Sequence, residues 1–124
     1  MIKQIIFAIL CQYNVSSLSD CTYIYITPND QIHSKDYCST FIINKRDPVN
    51  LYAHFEKRCT DNKSLKVQWY RNGIKYKISE SNGVNPNYFT SVLKVTENGI
   101  YKVAIILDDE SLQNGCGFVE VNKD

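Results

Sequence analysis

Leu65-Lys66-Val67-Gln68-Trp69-Tyr70-Arg71-Asn72-Gly73-Ile74 carries the pattern on which the fold turns. Leu65, Val67 and Trp69 alternate with Lys66, Gln68 and Tyr70, the period of two that lays one apolar row along one face of a β-strand. Asn72-Gly73 then supplies the two residue types that accept the positive φ of a tight hairpin turn, so Ile74 to Ile78 is expected to return as the partner strand. The single tryptophan of the chain stands in the apolar row, where a ring of that size must fill a core.

The same alternation continues on both sides. Val49, Leu51, Ala53 and Phe55 alternate with Asn50, Tyr52, His54 and Glu56, while Phe89, Leu93 and Val95 share a face with Ser91 as its small polar member. Asn98-Gly99 precedes Ile100 to Leu107, whose inward row is Tyr101, Val103, Ile105 and Leu107. Asn114-Gly115 precedes Cys116 to Val121, with Val119 and Val121 facing inward. Tyr23 to Ile26 and Tyr37 to Ile43 supply one or two further strands. About seven short strands punctuated by turns read as an all-β chain folded into a sandwich.

At 124 residues there is room for one domain, and 44% hydrophobic against 22% charged residues is the balance of a folded one. Lys+Arg 14 against Asp+Glu 13 excludes a strongly basic nucleic-acid binder. Ile, Asn, Lys and Tyr make up 46 of the 124 residues and Lys outnumbers Arg 11 to 3. These are residues with A/T-rich codons, which favours a large DNA virus or an A/T-rich parasite as the source.

The first nineteen residues read as an address. Met1-Ile2-Lys3-Gln4 carries one positive charge, Ile5 to Cys11 is an apolar run, and small residues follow at Val15-Ser16-Ser17 and Ser17-Leu18-Ser19. That is the layout of a secretory signal peptide, too short to span a bilayer. The mature domain is expected over residues 20–124, exported and without membrane insertion. Removing the signal discards Cys11 and leaves Cys21, Cys38, Cys59 and Cys116, an even set that reads as two disulfides in one of three connectivities. Zinc is not indicated, because no two cysteines have C-x₂₋₄-C spacing. Asn62-Lys63-Ser64 is a glycosylation sequon.

Chemistry is sparse. His33 and His54 are the only histidines and read as surface residues, so no catalytic triad is indicated. The five glycines stand singly in turns or flank Cys116, so no phosphate loop is present. Asp108-Asp109-Glu110 lacks the spaced ligands of a calcium loop. No catalytic residue, cofactor or metal is therefore assigned, and a non-enzymatic role is expected. Charge is more informative: Lys57 to Lys77 holds seven basic residues against Asp61 alone. Tyr70 and Tyr76 interleave with Arg71, Lys75 and Lys77. Tyrosine and arginine anchor protein interfaces and a positive field steers an acidic partner, so these five are the candidate partner-binding residues.

Gln68-Trp69-Tyr70-Arg71-Asn72-Gly73 resembles an immunoglobulin-type strand C. Glu97-Asn98-Gly99-Ile100-Tyr101-Lys102-Val103 resembles the run around strand F, with Tyr101 as the tyrosine corner. The resemblance covers Cys21 to Val121 and implies an immunoglobulin-like sandwich. Ala53 and Val103 stand where that family places its inter-sheet cysteines. It further implies that Cys59 and Cys116 sit in the neighbouring B–C and F–G loops and bridge there, with Cys21 and Cys38 stapling the N-terminal strands. A single exported domain of this kind is similar to the small secreted immunomodulators of poxviruses, the interleukin-18-binding proteins. That likeness implies sequestration of a host cytokine, receptor or surface ligand. A structural or adhesive domain of a pathogen surface, or a secreted protease inhibitor, is the alternative expectation.

Overall fold

The computed structural model describes residues 22–57, 66–80, 82–83, 88–107 and 110–123. The signal stretch through Ser19, Cys21, Cys59, Asn62 and Asp108-Asp109 lie outside the described residues. Among the described residues there are ten strands: β1 (Thr22–Thr27), β2 (Thr40–Asn44), β3 (Val49–Lys57), β4 (Lys66–Arg71), β5 (Ile74–Glu80), β6 (Asn82–Gly83), β7 (Tyr88–Val95), β8 (Gly99–Leu107), β9 (Glu110–Asn114) and β10 (Phe118–Asn122). One sheet runs β1-β3-β7-β6, and the other runs β2-β10-β8-β4-β5 with β9 also pairing β8. These are the immunoglobulin orders A-B-E-D and A′-G-F-C-C′, the latter being a variable-type extension of the C-F-G sheet. Among the described strand pairs all are antiparallel except β2 with β10, which run parallel, and a single parallel bridge joins Tyr25 to Cys116.

The alternation read from the sequence becomes the core. Ile24, Ile26, Leu51, Ala53, Phe55, Leu93 and Val95 from one sheet pack on Val67, Trp69, Tyr101, Val103, Ile105, Val119 and Val121 from the other. Trp69 is fully buried and registers with Val103 on β8. Its indole N–H donates to Ser79 Oγ at 2.8 Å. Ser79 Oγ in turn bonds Ser91 Oγ, and Ser91 Oγ donates to the Glu80 carbonyl at 2.9 Å. Ser91 registers with Ala53 on the opposite sheet from Trp69, so this chain of hydroxyls ties the sheets where an inter-sheet disulfide is lacking. Tyr101 closes the corner as expected, its hydroxyl donating to the Glu97 carbonyl at 2.8 Å. Asn72 and Gly73 both have positive φ, 53° and 81°, in the two-residue turn between Arg71 and Ile74.

Among the described residues there is one disulfide, and it corrects the expected pairing. Cys38 joins Cys116, with Cα atoms 4.4 Å apart, which excludes both Cys59–Cys116 and Cys21–Cys38. The cause is the parallel ladder. Phe118 registers with Thr40 on β10 and β2, so the cysteine two residues before each falls opposite the other. Gly117, at φ 88°, makes the approach possible, because a Cβ there would collide with the Ser39 carbonyl. Closing a segment with a sequence separation of 78 contributes about 4 kcal/mol in the chain-entropy model.

Two outcomes are expected. Trp69→Ala should destabilise the domain by about 3–5 kcal/mol, most of the stability of so small a domain, and an unchanged melting temperature would refute the core assignment. Peptide mapping without reduction should recover Cys38 joined to Cys116; a fragment joining Cys38 to Cys21 would refute the parallel register.

Candidate functional site

Two surfaces stand out, one on each sheet. On the five-strand path, β5 is an edge strand next to β4. A bulge between Trp69 and Tyr70 shifts the β4–β5 register, so that Tyr70 pairs Lys75 while Trp69 pairs Lys77. Tyr76 is the extra residue, and its direction changes accordingly. Tyr70 and Lys75 line a cavity of about 240 Å³ on the outer face with Gln68, Ile78, Ile106 and Ser111. Tyr76 instead packs against the core, stands edge-on to Tyr101 with ring centroids 6.0 Å apart, and reaches Glu97 Oε1 at 3.4 Å. Lys77 Nζ lies 5.7 Å from the Tyr76 ring centroid. Arg71 is committed elsewhere: its Nε and Nη2 both donate to the Asn98 carbonyl, at 3.0 and 2.7 Å.

Of the five candidate partner-binding residues, the structure therefore brings Tyr70 and Lys75 together and leaves Lys77 exposed beside Tyr76. Arg71 and Tyr76 serve as internal ties. Two residues that charge patterning passes over join the exposed set. Ile74 is 71% exposed and Ile78 51% exposed on β5. Their signal in the sequence, an apolar alternation in the hairpin return, reads equally well as core. Across the outer face Lys66 pairs Glu80 at 3.6 Å, an exposed ion pair of little consequence for stability.

The second surface is the outer face of β1, β3 and β7. Alternation turns Tyr25, His54 and Thr90 to this side. The connection between β1 and β2 folds back over it through a 3₁₀ turn at Ser34–Asp36. His54 thus points outward from its strand as expected, yet it is 1% exposed; His33 remains exposed. His54 Nε2 lies 2.9 Å from the Asn29 carbonyl, which can only accept, so Nε2 carries the proton and Nδ1 accepts from Thr90 Oγ1 at 3.0 Å. Asp36 anchors the cover, accepting at one carboxylate oxygen from Thr27 Oγ1 at 3.1 Å and Asn29 Nδ2 at 2.9 Å.

Beside that anchor lies a cavity of about 320 Å³ lined by Tyr23, Tyr25, Tyr37, Tyr88, His54 and Glu56, with Ile32, Ser34 and Phe55 completing the wall. Tyr37 stands edge-on to Tyr23 and to Tyr25, with centroids 5.8 and 6.0 Å apart and planes at 85° and 82°. The Tyr25 hydroxyl is buried without a hydrogen-bond partner among the described residues. Burial pushes its pKa up; the His33 backbone nearby lowers it without closing a bond of ordinary geometry, and Asp36 and Tyr88 raise it. Among the described residues no group of three His, Cys, Asp or Glu side chains is placed to hold a metal.

No protein-family model matches the chain, and no curated protein matches it. Among solved structures it is similar to the CARDB domain of the PF1109 protein from Pyrococcus furiosus, solved in complex with di-metal ions. The identity is 18% and the TM-score 0.45, over 83% of this chain and 87% of that one.

His54 gives the stability a pH dependence. Burial lowers its pKa from the usual value near 6.5, outweighing the raising effects of the Asn29 carbonyl, Asp36 and Asp30, while His33 lowers it further. A depressed histidine makes the unfolded chain bind more protons, so stability falls as pH drops below about 6.5 and levels off once the folded state also protonates. Denaturant titrations of wild type and His54→Gln between neutral and acidic pH should show this slope reduced in the variant. Equal slopes would refute the role of His54.

Proposed function

We propose that the chain is a secreted, non-enzymatic binding module that captures another protein through the outer face and edge formed by β4 and β5. The observation that carries this reading is the pair of large apolar side chains, Ile74 and Ile78, left in water beside Lys75 and Lys77. An edge strand with exposed aliphatic residues presents a row of backbone groups to a partner. The half-buried Tyr70 and the cavity it shares with Ile78 and Ile106 offer an anchor at the centre. Lysines flanking that anchor favour a partner with an acidic surface. Of the sequence-derived set, Tyr70, Lys75 and Lys77 act in this reading at the surface, while Arg71 and Tyr76 hold the strands that present it.

The finer reading is a small immunomodulator of the poxvirus type, resembling the interleukin-18-binding proteins, that sequesters a host cytokine, receptor or ligand. It is supported by the apolar N-terminal stretch, the A/T-rich residue usage and the disulfide-closed sandwich.

Capture of a partner from host serum or cell surfaces, followed by interface scanning, tests the proposal. Tyr70→Ala and Ile78→Ala should each speed dissociation, with a loss of about 2 kcal/mol. Lys75→Glu with Lys77→Glu should instead slow association and flatten its salt dependence. A scan in which only Asp108, Asp109 and Glu110 matter would move the interface to the F–G connection and overturn the proposal.

A further inference from the structure

The five-strand path has two ends, and they are guarded differently. The β5 end carries Lys75 and Lys77, charges that discourage pairing with a copy of itself. The other end is β2, which pairs with β10 alone among the described strands. Thr40-Phe41-Ile42-Ile43-Asn44 holds no charge and no proline. We propose that the β2 edge is a dimer seam, where a second copy of the chain lays its own β2 antiparallel to the first.

The backbone already faces that way. Lys45 N donates to the Asn122 carbonyl at 3.0 Å, which sets the phase of the parallel ladder. Bonds to β10 therefore come from Phe41, Ile43 and Lys45, and the residues between them turn their backbone groups aside. The N–H and C=O of Thr40, Ile42 and Asn44 point into the open edge, where no other described strand meets them. Ile42 is 67% exposed, and Thr40 and Asn44 are exposed with it.

A twofold axis through Ile42 matches this edge to itself. Ile42 then faces Ile42 of the second copy and Thr40 faces Asn44, each as a pair that exchanges both backbone bonds. Phe41 stands opposite Ile43 on the inner face. Both are partly buried against the core, so the apolar row continues across the seam. A slip of one residue would set outward groups against residues already bonded to β10, which makes the register specific. Charge agrees with it. Lys45 falls opposite Ser39 and Arg46 opposite Cys38, so neither cation meets its own copy. The same operation about the middle of β5 would set Lys77 against Lys77.

The strand is also held ready. The Cys38–Cys116 bridge ties its start to β10 and the Lys45 bond ties its end, which reduces the ordering cost of pairing. A strand of 5 residues covers about half the area of a standard interface, so the dimer is reversible and concentration-dependent. It leaves the two β4–β5 surfaces at the far ends of the joined sheet, about 40 Å apart. Where those surfaces bind as proposed above, a partner displayed in many copies meets two linked sites.

Analytical ultracentrifugation of the full oxidised chain, from low micromolar to near-millimolar concentration, tests the seam. A monomer–dimer equilibrium is expected. Ile42→Lys sets like charges face to face on the axis and should weaken the dimer about fivefold or more, with the melting temperature of the dilute chain held. Ile42→Pro removes the N–H at the axis without touching a bond to β10 and should act in the same direction. Lys77→Glu should leave the dimer unchanged. Amide exchange reads the parity directly. The amides of Thr40, Ile42 and Asn44 should gain protection as concentration rises, while those of Phe41 and Ile43 stay as they were. A chain monomeric throughout, a dimer that survives both Ile42 variants, or protection that ignores this parity would overturn the proposal. So would a dimer lost with Lys77→Glu, or β2 amides protected only when a different protein is bound. None of these outcomes depends on capture of a partner by the β4–β5 surface, so the two readings fail separately.

Discussion

Burying an indole obliges the protein to satisfy its N–H, and much of this sandwich is arranged around that demand. Trp69 fills the space between the sheets and donates its N–H to Ser79, whose hydroxyl bonds Ser91, which donates in turn to the Glu80 carbonyl. Each hydroxyl in such a chain accepts one bond and donates the next, and members polarise one another in a low-dielectric interior. The strand positions follow from it. Ser79 must lie on the inward side of β5, and Ser91 must replace an apolar residue in the inward row of β7. Ala53 and Val103 lie in the same buried cluster as the ring, and Val103 registers directly with it. The sheets are tied by polar chemistry where the fold more often uses sulfur.

The inward rows were legible in the sequence because burial on one face of a strand forces a period of two, and Asn72-Gly73, Asn98-Gly99 and Asn114-Gly115 mark turns between rows. Trp69 and the Glu97–Tyr101 corner were legible for the same local reason. Three features were not, and each depends on something non-local. The Cys38–Cys116 bridge requires a parallel register between strands from opposite ends of the chain. Burial of His54 requires the β1–β2 connection to fold over a face that alternation marks as outward. Tyr76 changes sides because one bulged residue reverses the parity of β5, and no residue type announces that bulge. The candidate surface was half visible: the lysines showed as a charge run, while Ile74 and Ile78 were indistinguishable from core positions.

The two sheets consequently meet solvent in different ways. Along β5 the molecule leaves aliphatic and basic side chains uncovered. Over β1, β3 and β7 it spends a whole connection on covering its outer face, with a buried carboxylate accepting two hydrogen bonds to hold that connection down. Buried polar groups arranged this fully fix one conformation of the backbone above them. The aromatic cavity inherits its shape from that rigidity, since Tyr37 follows Asp36 directly.

The bridge also divides the chain topologically. Cys38 and Cys116 close a covalent ring that contains β2 through β9, and leave β1 and β10 outside it. Tension applied ahead of β1 and beyond β10 runs through the sulfurs, so the enclosed segment cannot be lengthened while they stay joined. Of the described strands, β1, paired with β3, and β10, paired with β2 and β8, are the two that lie outside that ring. Under load the domain behaves as a short tether around a closed knot of sheet, and reduction converts it into one that can unravel along its whole length.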